Sequence, residues 1–268
     1  MNPERFIQIG YRSNSGEGQQ SRADDLPPLT VGPIRLTAGC TDGSASRRRW
    51  NECVQRTAGK GGTNAQRTGS MLQVMRRICY ADSRRTVIVL GAPRGGTSML
   101  AGTLERLGVH MGENLGRQKE DACFRRETPL EAKLAAIAAN SAARAIWGWK
   151  LPNTVYYYWD VHHHLTNPIF VSIYRNPLEV AMSSARHDGR VLSLQLLRVP
   201  IEHYDKVHGV IDGFPDVPWA TCSFETVTEG AAKGAFVDAL IAFLGLQRSA
   251  ERRASAIEFI NREKGYQD

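Results

Sequence analysis

The chain has 268 residues, 42% of them apolar, which is enough for one domain with a core and additional segments. Its formal charge of +7 lies wholly in residues 1–85, because basic and acidic groups balance at 20 each from Thr86 onward. The basicity therefore gives no reason to expect nucleic acid at the globular part, and no apolar stretch approaches the ~20 residues of a membrane-spanning helix.

Residues 1–80 show little hydrophobic periodicity and carry pieces such as TDGSASRRRW and TAGKGGTNAQRTGS. Such a segment buries too little apolar surface to offset chain entropy, so a disordered or loosely structured basic segment is expected there. The folded domain is expected over 84–268. RRRW reads as part of a solvated tail rather than as an anionic-surface patch, and Met71 and Met75 are alternative natural starts. MNPERFIQIGYRSNSGEG has no apolar region of the kind found in secretory signals. The five cysteines, Cys40, Cys53, Cys79, Cys123 and Cys222, form no C-x-x-C pair. A disulfide framework or zinc site is not expected, and a reducing, cytoplasmic compartment is the simplest setting.

From Thr86 the pattern changes. TVIVLG is a continuous β-branched run, as in a parallel strand buried on both faces. SMLAGTLERLG has helical spacing and ends at Gly108, and PLEAKLAAIAANSAARA predicts a second helix. AIWGWK reads as a short strand, VYYYWDVHHHL as a helix, and NPIFVSIYR as a second long strand. Asn176 and Pro177 suit the cap and first position of a helix over LEVAMSSARHDG. A polar helix follows over roughly Leu192 to His208, then a strand at PWATCSF and an amphipathic helix at AAKGAFVDALIAFLGL. Alternating strands and helices predict an α/β fold, a parallel β-sheet flanked by helices in a P-loop-like three-layer sandwich.

The turn Gly91-Ala92-Pro93-Arg94-Gly95-Gly96-Thr97-Ser98 joins the first strand to a helix N-terminus. Unpaired N–H groups and the helix dipole make such a junction an anion site. Gly91, Gly96 and Ser98 fit the nucleotide-binding pattern G-x-x-x-x-G-K-[ST], but Thr97 stands where the lysine belongs. The cation is Arg94 instead, whose planar fork suits a tetrahedral anion. Some eighty residues on, IFVSIYRNPLEVAMSS places Arg175 at a strand end, Pro177 at a helix start, and Ser183 eight residues after the arginine, with Ser184 beside it. An arginine there is a ready phosphate clamp.

APRGGTSML resembles the 5′-phosphosulfate loop of sulfotransferases that use 3′-phosphoadenosine 5′-phosphosulfate (PAPS), and IFVSIYRNPLEVAMSS resembles their 3′-phosphate motif. WGWKLPNT, with Lys150 and Pro152, is similar to the W-x-x-K-x-P segment of bacterial members. SFETVTEGAAKGAFVDALIAFLGL resembles their Y-E-D-L…F-L-G-L element, with Phe224 in place of the tyrosine near the adenine. INREKGYQ, with Arg262, Lys264 and Gly265, stands where the family has a late basic loop. The resemblance covers about Thr86 to Gln247 and implies PAPS as co-substrate. Arg94, Gly95, Gly96, Thr97 and Ser98 would hold the 5′-phosphosulfate, Arg175 and Ser183 the 3′-phosphate, and Phe224 the base. Lys150 is a candidate second cation at the transferring group, or a lysine whose stem covers Trp147 and Trp149. GENLGRQKEDACF resembles the family's E-D-x-x-F element and offers Glu120 as catalytic base, with Asp121 and His110 as alternatives. His162, His163 and His164 point about 100° apart if helical and cannot all face one ion; this chemistry requires no metal. The acceptor is expected to be a small molecule or a glycan bearing a hydroxyl or amine. Two rival readings stay open: a nucleotide kinase or NTPase, and a non-catalytic nucleotide-binding remnant.

Overall fold

The computed structural model describes residues 71–78, 80, 83–113, 115–116 and 118–261, all within a unit spanning 47–268. Expectations for residues 1–70, including RRRW, and for Arg262, Lys264 and Gly265 fall outside them.

Five strands form one sheet: β1 (Gln73–Arg76), β2 (Arg85–Leu90), β3 (Ile146–Lys150), β4 (Pro168–Tyr174) and β5 (Trp219–Ser223). Their order is β1-β5-β4-β2-β3, parallel throughout except for β1 against β5. Alternate residues serve opposite layers, as the pleat requires. Val87, Val89, Ile169, Val171 and Ile173 face one core. It is closed by α1 (Thr97–Arg106), α7 (Ala232–Leu244) and α8 (Ala250–Ile260). Ile88, Leu90, Trp147, Trp149 and Phe170 face the other. There they meet α2 (Leu130–Ala143), the single turn α3 (Tyr158–Val161) and the long α5 (Leu194–Gly213). Two helices follow strands directly, α4 (Pro177–Asp188) after β4 and α6 (Phe224–Thr228) after β5.

The chain leaves β2 for β3 on one side and then crosses to β4 on the other, so the strand order reverses at β2. Crevices at the carboxyl ends of such strands are where open α/β sheets bind ligands. Register makes those ends level, since Val89 pairs with both Lys150 and Val171, and Leu90 with Ser172.

Three local expectations need correction. β1 lies inside the segment expected to be loose. Its residues are mostly exposed and so show no alternation, yet Leu72 is buried. The Arg76 guanidinium fastens the strand by donating to the carbonyls of Phe214 (2.9 Å) and Val217 (3.2 Å) and lying over the Trp219 ring. VYYYWDVHHHL is not one helix but a 3-10 turn (Pro152–Tyr156), α3 and a second 3-10 turn (His162–His164). Its aromatic side chains are packed individually, with Tyr158 edge-on to Phe170 and Phe214, and this outweighs weak helical propensity. Finally, PWATCSF ends as a strand at Ser223, whose hydroxyl caps α6, so Phe224 begins a helix.

Candidate active site

β2 delivers the chain to the first loop with little room to spare. A Cβ on Gly91 would lie 2.7 Å from the carbonyl oxygen of Ile173 on β4. The turn is closed by the Gly95 N–H donating to Ala92 O at 2.9 Å. Arg94 sits at φ 63, a left-handed conformation that costs an L-residue about 1 kcal/mol or more. Gly96 has φ 95, and a Cβ there would overlap the Phe224 ring. α1 starts at Thr97 with no side chain capping it, so its first turn presents bare N–H groups. The Ser98 hydroxyl donates to Gln118 O at 2.9 Å and ties the helix start to the following loop.

The second junction is held from behind by α5. The Tyr204 hydroxyl accepts from the Arg175 N–H and donates to the Arg175 carbonyl, both at 2.9 Å. The Arg175 guanidinium lies 4.7 Å over the Phe224 ring. Its Nη1 donates to Arg94 O at 3.3 Å and its Nη2 to Glu179 Oε2 at 3.4 Å, while Nε is buried with no hydrogen-bond partner. Arg94 Nε reaches Ser183 Oγ at 3.4 Å, which identifies Ser183 rather than Ser184 as the hydroxyl on this side of α4. Asn176 caps α4 through its side chain, with Pro177 next, as expected. The Asn176 N–H also donates to Glu225 Oε1 at 2.7 Å, and Ser223 Oγ donates to Glu225 Oε2 at 2.7 Å. Burial opposes the Glu225 charge, but these donors and Arg175 hold its carboxyl below the ordinary range.

The third component comes from β3. The Lys150 ammonium is 2% exposed and pairs with Glu120 Oε1 at 2.8 Å. Burial lowers its pKa, Glu120 raises it again, and the charge of Arg94 acts with burial. Of the alternatives to Glu120, Asp121 caps the 3-10 turn Ala122–Phe124, accepting from the Cys123 N–H at 2.8 Å. His110 is bridged through its backbone to β3 beside Trp147, with its ring 3.5 Å from Glu113. Neither lines the cleft. His162–His164 lie in a 3-10 turn, and among the described residues no group of three or more His, Cys, Asp or Glu is placed to hold a metal ion.

Arg94, Gly96, Thr97, Ser98, Glu120, Lys150, Arg175, Ser183 and Phe224 thus line one cleft of about 300 Å³. Gly95 contributes to the turn rather than to the wall. Tyr204, Glu225, Gln118 and His187 are also part of the site or its support, and were not anticipated. Only Glu225, next to Phe224 in SFET, had a sequence signal to follow. Three cations and one carboxylate face a single space, an arrangement suited to a ligand with two anionic groups.

No protein-family model and no curated protein matches the chain. Among solved structures it is similar to a mouse sulfotransferase complexed with PAP, at 15% identity and a TM-score of 0.45, covering 68% of this chain and 65% of that one. It is also similar to the sulfotransferase domain of the Synechococcus PCC 7002 olefin synthase, at 14% identity and a TM-score of 0.46, covering 69% and 80%. A sulfotransferase from Alicyclobacillus acidocaldarius matches at 15% identity and a TM-score of 0.46, covering 66% and 91%. The chain therefore spans less than two thirds of the mouse protein. The likeness is one of fold alone, and chemistry has to be argued from the cleft.

Proposed function

We propose that the chain is a sulfotransferase that uses PAPS to sulfate a hydroxyl or amine of a small-molecule or glycan acceptor. The observation that carries this reading is the meeting of Arg94 and Arg175 in one cleft, with Arg175 Nε buried and lacking a partner. A phosphate oxygen would satisfy that N–H, and burying it unsatisfied is costly otherwise. When bound, PAPS supplies an activated sulfuryl group. The chain's own residues then divide the work. Arg94, the Thr97 hydroxyl and the bare first turn of α1, Ser98 included through its backbone, hold the 5′-phosphosulfate. Arg175 and Ser183 hold the 3′-phosphate, and Phe224 offers its ring to the base. Lys150 provides a charge nearly free of water, where it acts more strongly than in solution. Glu120 spends Oε1 on Lys150 and keeps Oε2 for the proton of the acceptor's hydroxyl.

A kinase or NTPase would share the loop, but Thr97 is buried and offers no cation to a γ-phosphate. Calorimetric titration of the full chain with adenosine 3′,5′-bisphosphate, and separately with ATP and magnesium, tests the reading. The bisphosphate should bind and ATP should bind poorly. Arg175→Ala should weaken the bisphosphate by roughly 10- to 100-fold, the worth of a charge-assisted contact. ATP binding as tight as the bisphosphate would overturn the proposal in favour of a kinase. A folded chain that binds neither would leave a remnant.

A further inference from the structure

The Lys150–Glu120 pair joins a strand end to a loop, and the loop does not hold that position by its own preference. Lys119, next to Glu120, sits at φ 56, a left-handed conformation that disfavours any residue with a Cβ. What holds the loop lies just beyond it. Phe124, the last residue of the 3-10 turn Ala122–Phe124, is 1% exposed and stacks on Trp149. The ring centroids are 4.4 Å apart and the planes 6° from parallel. Trp149 is in turn the residue before Lys150 on β3. The two stacked rings thus flank the ion pair along both segments of chain.

A relay of buried hydrogen bonds fastens the same two segments. Trp149 Nε1 lies 2.9 Å from Thr154 Oγ1, which lies 3.2 Å from Tyr157 Oη. Tyr157 Oη lies 2.7 Å from the Phe124 carbonyl oxygen. Counting protons fixes the direction, because an indole N–H only donates and a carbonyl only accepts. The single Tyr157 proton goes to Phe124, so Thr154 accepts from Trp149 and donates its own proton to Tyr157. Burial raises the Tyr157 pKa, and the hydroxyl keeps that proton. Trp149 and Thr154 are fully buried and Tyr157 nearly so, which leaves no water to compete with the relay. From Phe124 the constraint runs back toward Glu120 by short links. The Phe124 N–H donates to Asp121 O at 3.1 Å, and Asp121 Oδ1 accepts from the Cys123 N–H at 2.8 Å.

We propose that Thr154 and Tyr157 are positioning residues whose hydroxyls staple the Glu120 loop to β3 and so hold the Glu120 carboxylate against Lys150. Neither lines the cleft, so they act on the base and not on the nucleotide. The role of Glu120 as base rests on the sulfuryl-transfer reading; the staple rests on the hydrogen bonds alone.

The test is a double-mutant cycle on the full chain, read as the urea midpoint near neutral pH, beside titration with adenosine 3′,5′-bisphosphate. In the unchanged chain Glu120→Gln should lower the midpoint by about 1 M, because it strands the ammonium. Tyr157→Phe keeps the ring and removes the hydroxyl. In that background Glu120→Gln should lower the midpoint by about half as much or less, since the carboxylate is no longer held in place. Thr154→Val should act as Tyr157→Phe does, whereas Thr154→Ser, which keeps the hydroxyl, should retain the full drop. Bisphosphate affinity should stay within about twofold in Tyr157→Phe. A role in core packing alone would leave Glu120→Gln equally costly in every background, and that result would overturn the proposal. So would a Thr154→Ser chain that behaves like Thr154→Val. A loss of about tenfold in bisphosphate affinity on Tyr157→Phe would overturn the restriction to the base. The expected coupling in a chain that binds no bisphosphate would keep the staple and overturn the sulfuryl-transfer reading, together with the role of Glu120 as base.

Discussion

Lys150 and Glu120 show how much one residue pair decides in the cleft. An ammonium that is 2% exposed has lost nearly all its water, and among the described residues its anionic partner is Glu120 at 2.8 Å. Glu120→Gln keeps the shape but leaves the charge unpaired, which should cost about 3 kcal/mol near neutral pH. The pH dependence follows from the direction of the shift. Burial lowers the folded-state pKa of Lys150 below the unfolded value of 10.5. Between those two values the unfolded chain binds more protons, so this group's contribution to stability rises with pH. Without Glu120 the folded pKa falls further. The variant's deficit should therefore be full near pH 7 and vanish above pH 10.5, where the lysine is neutral in both states. Urea unfolding of both proteins across that range measures it, and a deficit independent of pH would show that the ammonium is not its source. The candidates themselves were legible at this scale. Arg94 and Arg175 stood out because each occupies a strand-to-helix junction, where an exposed cation has a physical purpose. Choosing Glu120 over Asp121 was not legible, since adjacent carboxylates in a loop carry no local mark of which way each one points.

Among the elements, α5 does most to shape the site from behind. Leu196, Pro200, His203, Tyr204, Val207 and Ile211 recur at helical spacing along its buried side. Tyr204 thereby reaches the Arg175 backbone, and His203 is enclosed with Nε2 lacking a partner. Desolvation, followed by the charge of Lys206, lowers the His203 pKa to about 4 from 6.5, against the carbonyls of Pro152 and Gly91. Between those values the unfolded chain binds the extra proton, so stability falls as pH falls from 6.5 toward 4, by up to about 3 kcal/mol. His203→Gln should flatten the dependence of unfolding free energy on pH in that window, whatever it does to stability at pH 7. Equal slopes for the two proteins would refute this. α5 was readable as a helix over roughly Leu192 to His208, but as a polar one, without its buried stripe or its end at Gly213. α8 was not, because its pattern is sparse. Its register is imposed by α1, where the Phe259 ring occupies the space that a side chain on Gly102 would need and Arg106 lies 5.2 Å over the same ring.

For the molecule as a whole, the folded domain includes a strand ahead of residue 84, the expected start. β1 covers the edge of β5, buries Leu72 and sends Arg76 to the carbonyls that follow α5. A chain starting at Met71 keeps β1 and Leu72, and its melting is the reference for a shorter one. One starting at Ser83 should lose about 3 kcal/mol, from the Leu72 burial and the Arg76 hydrogen bonds together. Identical melting of the two truncated chains would show that β1 contributes nothing. Among the described residues no helix is long and apolar enough to cross a membrane. Taken alone, the sequence determined the two long central strands and the two strand-to-helix junctions that carry Arg94 and Arg175, because continuous β-branched runs, glycine-rich turns and an Asn-Pro helix start express their preferences within a few residues. Tertiary structure decided that these junctions meet. The parallel register sets the ends of β2, β3 and β4 level, while long-range contacts bring the loop residue Glu120 to Lys150 and pair β1, whose own residues are mostly exposed, antiparallel with β5. Strand register and strand order are set by contacts between residues far apart in the chain, and no local pattern carries them.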